Sequence, residues 1–266
     1  MHQTLLTVAI IGYVAATGLA LAYLVQREEV LHRLAALATV AAWVLHTVSL
    51  LALAVQLGRP PLASMPEAVS VAAWVVVLLE MWVERRYGLS VLGAFVLPVA
   101  LVLSLQATPT RTLIGPTLSG AWLWVHIGLA LIGIAALVLN FAGAVMYLLQ
   151  EHQLRAKRTG TLYYTLPALA TLDRLTYRTL AFGFPFLTTG LILGVLWAGT
   201  AWGSVFTFDP LALSSYVAWA VYAATLAGRT AGGWHGRRAA YFAILGFAVL
   251  ALTLGAGLFL PGKHGG

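Results

Sequence analysis

Apolar runs of close to twenty residues recur along the whole chain, and this recurrence constrains its fold more than any other feature. A helix rises 1.5 Å per residue, so each run can cross a bilayer hydrocarbon core of roughly 30 Å. The runs are apolar all round rather than alternating, which excludes spanning β-strands. The expected spans are 4–25, 34–57, 67–84, 89–106, 121–149, 179–200, 212–229 and 239–260. The fold class is therefore all-α: a polytopic membrane protein of about eight transmembrane helices, expected to form a single transmembrane domain over residues 1–266. The first run begins at Thr4 with no basic stretch before it and no clear small-residue cleavage site, so it reads as a retained helix rather than a signal peptide.

Charge sets the expected topology. A net charge of +7 would suggest nucleic acid in a soluble chain, but only 9% of these residues are charged and the basic ones fall in short connections. The lipid bilayer is the expected partner, and no nucleic acid is expected. The connections after spans one, three, five and seven hold 12 of the 15 Lys and Arg residues; Arg59, Arg111 and Lys263 make up the rest. The positive-inside rule puts the basic connections in the cytoplasm and both termini outside. In the longest of them, residues 150–178, Leu169, Leu172 and Leu175 share a helical face, which suggests a short helix lying in the interface. The chain has no cysteine, so any redox thiol must belong to a partner. Motifs for nucleotide hydrolysis, serine hydrolysis and zinc proteolysis are missing as well.

Chemistry-bearing residues gather on the outer side. The segment WAGTAWGSVFTFDP, residues 197–210, crowds Trp197, Trp202, Phe206 and Phe208 around Gly199 and Gly203 and ends in Asp209. An aromatic belt at headgroup level is one reading. A belt scatters its rings over several helix ends, however, whereas these sit together, as a shelf for a flat ligand would. His126 lies about one turn inside the outer end of the fifth span, with Trp122 four residues earlier on the same face. His264 stands in the outer tail and His46 in the second span, toward its outer half. Imidazole is a strong ligand for haem iron, and two from different helices could take its axial positions. Each histidine alone is equally well read as hydrogen-bonded to a neighbouring helix or as solvated. Arg59 and Arg111 could pair with anionic groups such as haem propionates, or orient the nearby loop. His2, His32, His152 and His235 read as solvated, and Glu80 as snorkelling toward the cytoplasmic interface.

An ordered series of motifs carries a family resemblance. It runs WGSVFTFDP at 202–210, Trp219 and Tyr222, RTAGGWHGRRAA at 229–240, Gly246-Phe247 and Gly262-Lys263-His264. Upstream stand DRLTYRTLAFGFPFLTTGLILGVLWA at 173–198, RPPLASMPEAV from Arg59 and LGAFVLPVAL at 92–101. Together they resemble the cytochrome c assembly family, the CcsA/ResC and CcmC proteins with a tryptophan-rich haem-handling loop. The resemblance implies a multi-pass protein of the cell inner (cytoplasmic) membrane with haem b as its cofactor. It makes His126 and His264 the axial ligands flanking the loop, with residues 202–209 cradling the porphyrin. It also implies a ResB/CcsB-type membrane partner and apocytochrome c as the protein served; any enzymatic role would be that of a cytochrome c haem lyase component.

This sequence departs from the family pattern in places. Phe206 and Phe208 stand where the family favours Trp, Leu211-Ala212 where Lys-Glu is common, and Ala227 where a further family histidine falls. These departures resemble the HemX and YpjD-like branches. They keep a second reading open, a membrane scaffold or regulatory subunit that does not bind haem.

Overall fold

The computed structural model describes residues 2–107, 121–157, 160–202 and 210–259. Among them are nine helices and no strand: α1 (His2–Gln26), α2 (Glu29–Leu57), α3 (Met65–Tyr87), α4 (Gly93–Gln106), α5 (Ala121–Arg155), α6 (Thr161–Thr165), α7 (Leu169–Trp202), α8 (Pro210–Thr230) and α9 (Arg237–Phe259). Seven are long and apolar enough to cross a membrane. The protein is a multi-pass helical membrane protein.

The expected span at 89–106 differs. Gly88, at φ +66°, ends α3 in the left-handed region, and residues 89–92 turn the chain, leaving α4 only 14 residues. That is about 21 Å, short of a bilayer core. α4 is an inner helix, with Ala94, Val96, Leu97 and Ala100 buried against neighbours that include α1 and α3, and it still carries the chain across the bundle: Gly93 lies near Tyr23, His32 and Glu84, whereas Ala107 packs on Leu6 and Ile10 near the start of α1.

The expected interfacial helix near residue 170 is not separate either. α7 runs unbroken for 34 residues, about 51 Å, so its first turns extend past the apolar core. Leu172 and Leu175 are buried, so the apolar face turns to the protein interior rather than to lipid. Among the described residues of the connection, the one short helix is α6. Pro185 lies inside α7 without ending it, and the hydroxyls of Thr188 and Thr189 donate to the carbonyls of Phe184 and Pro185 at 2.8 and 2.9 Å.

α5 is the most enclosed of the spans and packs on α3, α7 and α9, while α1 pairs with α2 and α8 with α9. Tyr13, Val76, Leu97, Leu137, Met146, Leu180 and Tyr222 belong to one buried apolar cluster. Large apolar side chains such as Ile11, Leu37, Leu51, Ile192 and Leu252 point outward, as a lipid-facing surface requires.

The seam between α5 and α7 is unusually close. A Cβ on Gly133 would come within 2.8 Å of the Leu187 nitrogen, and one on Gly183 within 2.8 Å of the Ala136 Cβ. Small residues let backbones approach in lipid, where the hydrophobic effect does not drive helices together. Asn140 adds a hydrogen bond from Nδ2 to the Thr176 carbonyl at 2.6 Å. On the other side of the bundle, Trp43 and Trp74 stack at 5.1 Å and join α2 to α3, and the Trp74 indole donates to Thr47 Oγ1 at 2.7 Å.

Most of the basic helix ends meet at one end of the bundle. Arg237 of α9 pairs with Glu151 of α5 at 3.2 Å, Arg178 of α7 lies over the Tyr87 ring at the end of α3, and His32 of α2 meets Glu84 of α3 at 3.6 Å. His32 is thus half-buried beside a carboxylate rather than simply solvated. Glu80 does not snorkel: it is 1% exposed, and its Oε2 has no hydrogen-bond partner.

Candidate functional site

His126 sits in the second turn of α5, and its position depends on the facing surface of α7. Its Nδ1 is 2.6 Å from the carbonyl oxygen of Gly190. A carbonyl only accepts, so Nδ1 carries the hydrogen and the lone pair resides on Nε2. The ring can reach that carbonyl because residue 194, one turn further along α7, has no side chain. A Cβ there would lie 2.5 Å from the His126 Cε1 and 2.9 Å from Nδ1. Trp197, half-buried, follows Gly190 and Gly194 at helical spacing on the same face of α7.

Trp197 and Trp202, expected in a loop, lie within helix α7, which continues to Trp202; α8 begins at Pro210. Trp122 occupies the first turn of α5. The side chains of Trp122 and Trp202, together with Gly203, Phe206, Phe208, Asp209, Arg111 and His264, lie outside the described residues.

His46 has different surroundings. It is fully buried, with Nδ1 3.3 Å from the Tyr13 hydroxyl and Nε2 3.0 Å from Ser70 Oγ, and the Tyr13 ring stands edge-on at 72°. Both ring nitrogens are engaged, and the cluster ties α1, α2 and α3 together. The structure does not join it to His126, whose partner is on α7.

Arg59 is committed to Glu67. The guanidinium fork meets the carboxylate at 2.8 and 3.1 Å, and Arg59 also donates to the Pro60 carbonyl at 3.0 Å. Glu67 in turn accepts from the Ala63 amide at 2.9 Å, and Ser64 caps α3 by accepting from the Glu67 amide at 3.4 Å. The hydrogen bond to Glu67 pushes the Arg59 pKa up from its ordinary value. Arg59 therefore organises the segment 59–67, the second of the two roles expected for it.

One polar cluster escaped the sequence reading. Arg229, only 4% exposed in its side chain, pairs with Asp173 at 3.0 Å and donates to the Asp173 carbonyl and to Thr176 Oγ1 at 3.0 and 3.3 Å. Asp173 Oδ1 also accepts from the Gly236 amide at 3.2 Å, where φ is +64°. The charge distribution alone assigns Arg229 to a cytoplasmic connection and gives it no partner. Its presence in the same motif series as Asp173 was the one available signal.

The model of the family described as "Cytochrome C assembly protein" matches residues 62–262. The chain belongs to this family. Among its relatives, "Cytochrome c biogenesis protein CcsA" of Guillardia theta is 32% identical over 233 residues, covering 79% of this chain and 77% of the relative. The protein of the same name from Synechococcus sp. (strain CC9311) is 31% identical, covering 79% and 80%. That of Pyropia yezoensis is 27% identical, covering 88% and 87%. A solved structure titled "Cytochrome c Heme Lyase CcmF" superposes with a TM-score of 0.65 at 20% identity. It covers 97% of this chain, which spans 50% of that longer one, and the likeness concerns the fold alone. Family members of the CcsA type thus match this chain over most of their length.

Proposed function

We propose that this protein is a haem-handling membrane subunit of cytochrome c maturation that presents haem b at its outer face for attachment to apocytochrome c. Family membership and the similarity to proteins named CcsA support the pathway. The observation that carries the haem reading is the seat of His126. Its Nδ1 hydrogen is given to the Gly190 carbonyl, so the ligating lone pair belongs to Nε2, in a space cleared by Gly194. Ligating histidines are commonly oriented in this way, with the second nitrogen donating to a carbonyl.

In this reading His126 and His264 hold the iron from two sides. Trp122, Trp197, Trp202, Phe206 and Phe208 stack against the porphyrin, Gly203 gives the backbone room to approach it, and Asp209 orients the loop. Arg111 faces the propionates, while Arg59 acts indirectly by holding segment 59–67 to Glu67. The bound cofactor supplies the vinyl groups to which the apocytochrome thiols add; this chain contributes binding and orientation. With no cysteine of its own, it leaves thiol reduction to other proteins. A ResB/CcsB-type partner completes the assembly in the inner membrane, where any lyase activity would reside.

The second reading is the HemX/YpjD-like scaffold without haem, and one observation favours it. Ala227, at the position of a further family histidine, is exposed on α8, so this chain presents a methyl group there.

The absorption spectrum of the protein purified from membranes separates the two. A Soret band that weakens in both His126→Ala and His264→Ala is expected. A wild-type protein that carries no haem and takes up none when supplied with it would favour the scaffold. Haem retained unchanged in both variants would remove the ligand assignment.

A further inference from the structure

α3 and α7 pack extensively on α5 rather than on each other. Between them, at the basic end of the bundle, lies a cavity of about 510 Å³. Its size falls within the roughly 300–1,000 Å³ of small-molecule sites. Buried Ala136, Leu175 and Thr179 form its floor, and Trp82 and Phe182 line it with 56% and 48% of their surface exposed. The lining is apolar except where α7 starts. There Arg174 and Arg178 stand one turn apart, and the Arg178 guanidinium lies 5.8 Å from the centre of the Tyr87 ring.

These two arginines differ from most others in the structure. Arg33, Arg59, Arg155, Arg229 and Arg237 each pair with a carboxylate. Among the described residues, Arg174 and Arg178 have neither a carboxylate partner nor a hydrogen bond. Two uncommitted guanidinium groups thus cap an elongated apolar slot, with an indole and a phenol at the rim.

We infer that the groove between α3 and α7 binds one anionic phospholipid from the leaflet at the basic end of the bundle. Arg174 and Arg178 hold the phosphate, and an acyl chain lies along Trp82, Leu175 and Phe182. Guanidinium groups suit phosphate oxygens because their planar fork donates two hydrogen bonds at once and is weakly hydrated. Tyrosine and tryptophan prefer the headgroup level, which places the mouth at the depth of lipid phosphate. Basic pockets between transmembrane helices on the cytoplasmic side suit anionic headgroups for the same reasons. The two positive charges also distinguish this lipid from a zwitterionic one, whose own cation they would repel.

The test is native mass spectrometry of the full-length chain in detergent, with dioleoylphosphatidylglycerol or dioleoylphosphatidylcholine added at equal concentration. One phosphatidylglycerol per chain should be retained, with an affinity about tenfold above that for phosphatidylcholine. In Arg174→Gln/Arg178→Gln the preference should vanish, whereas Arg174→Lys/Arg178→Lys should keep most of it and confirm that the fold tolerates change there. Equal retention of both lipids, or a preference unchanged by the glutamines, overturns the inference. So does a dimer that phosphatidylglycerol does not dissociate and the glutamine variant abolishes, because a second copy would then fill the groove. A Soret band lost in the glutamine variant but kept in His126→Ala would assign the groove to a tetrapyrrole dicarboxylate and overturn it too. The lipid and dimer outcomes are read without regard to whether His126 binds haem, so this inference and the haem reading can fail separately.

Discussion

The aim of His126 depends on what residue 194 lacks. In an ordinary water-exposed helix, replacing glycine by alanine favours the helix by about 1 kcal/mol. At Gly194 the added methyl would stand 2.5 Å from the imidazole. Gly194→Ala is therefore expected to push the ring off the Gly190 carbonyl and weaken the Soret band, and overpacking should destabilise the protein by about 1–3 kcal/mol. Thermal unfolding in detergent, followed with the visible spectrum, checks both effects; full haem binding with a raised melting temperature would contradict them. His46→Ala should behave in the opposite way. It strands the Tyr13 hydroxyl and Ser70 in the interior, at a cost of about 1–3 kcal/mol, yet leaves haem binding intact, because both its nitrogens are used in bracing α1, α2 and α3. The sequence marked both histidines as intramembrane imidazoles. It could not distinguish them, because that depends on which neighbours reach each nitrogen, and Tyr13, Ser70 and Gly190 lie 24 to 64 positions away along the chain.

At the scale of elements, hydropathy located the long helices to within a few residues, since a membrane leaves few alternatives to an apolar helix. It drew the span at 89–106 slightly too long, because composition records apolarity but not the residues consumed by the turn after Gly88. It also divided α7, because Asp173, Arg174 and Arg178 dilute the apolar signal of a helix that continues beneath them. The same charges hid the clasp between Arg229 and Asp173, which joins α7 to α8 and, through the Gly236 amide, to the turn before α9. Arg229→Leu would leave Asp173 without its cation, and breaking such a buried pair costs about 3–5 kcal/mol. The double variant Arg229→Leu/Asp173→Leu should recover much of that loss. Comparing the melting temperatures of the three proteins measures the coupling, and a double variant no better than the single would argue against a paired charge. Close by, Trp234 caps α8, its amide donating to the Gly228 carbonyl at 2.9 Å and its ring meeting Phe242 at 4.8 Å. The RTAGGWHGRRAA motif thus shapes the connection between α8 and α9 and lies at the basic end, opposite the expected haem face.

For the whole molecule, sidedness follows from charge, and the chain lends itself to testing it. It has no cysteine, so single substitutions can be labelled without background. His235→Cys, at the basic end, should react with a membrane-impermeant maleimide only after permeabilisation, whereas Pro60→Cys, at the other end, should react in intact cells. The reverse pattern would invert the topology and place His126 on the cytoplasmic side. The contact between α5 and α7 has a practical consequence of its own. At Gly133 and Gly183 the two backbones approach with little more than a methyl group between them, so the two helices have little latitude there for small sliding adjustments. Any relative movement would have to come as a discrete jump to a new register. An engineer could on that account replace residues 203–209 with another sequence and expect the imidazole to keep its bearing, much as a fitting keeps its alignment when only the cover plate is changed.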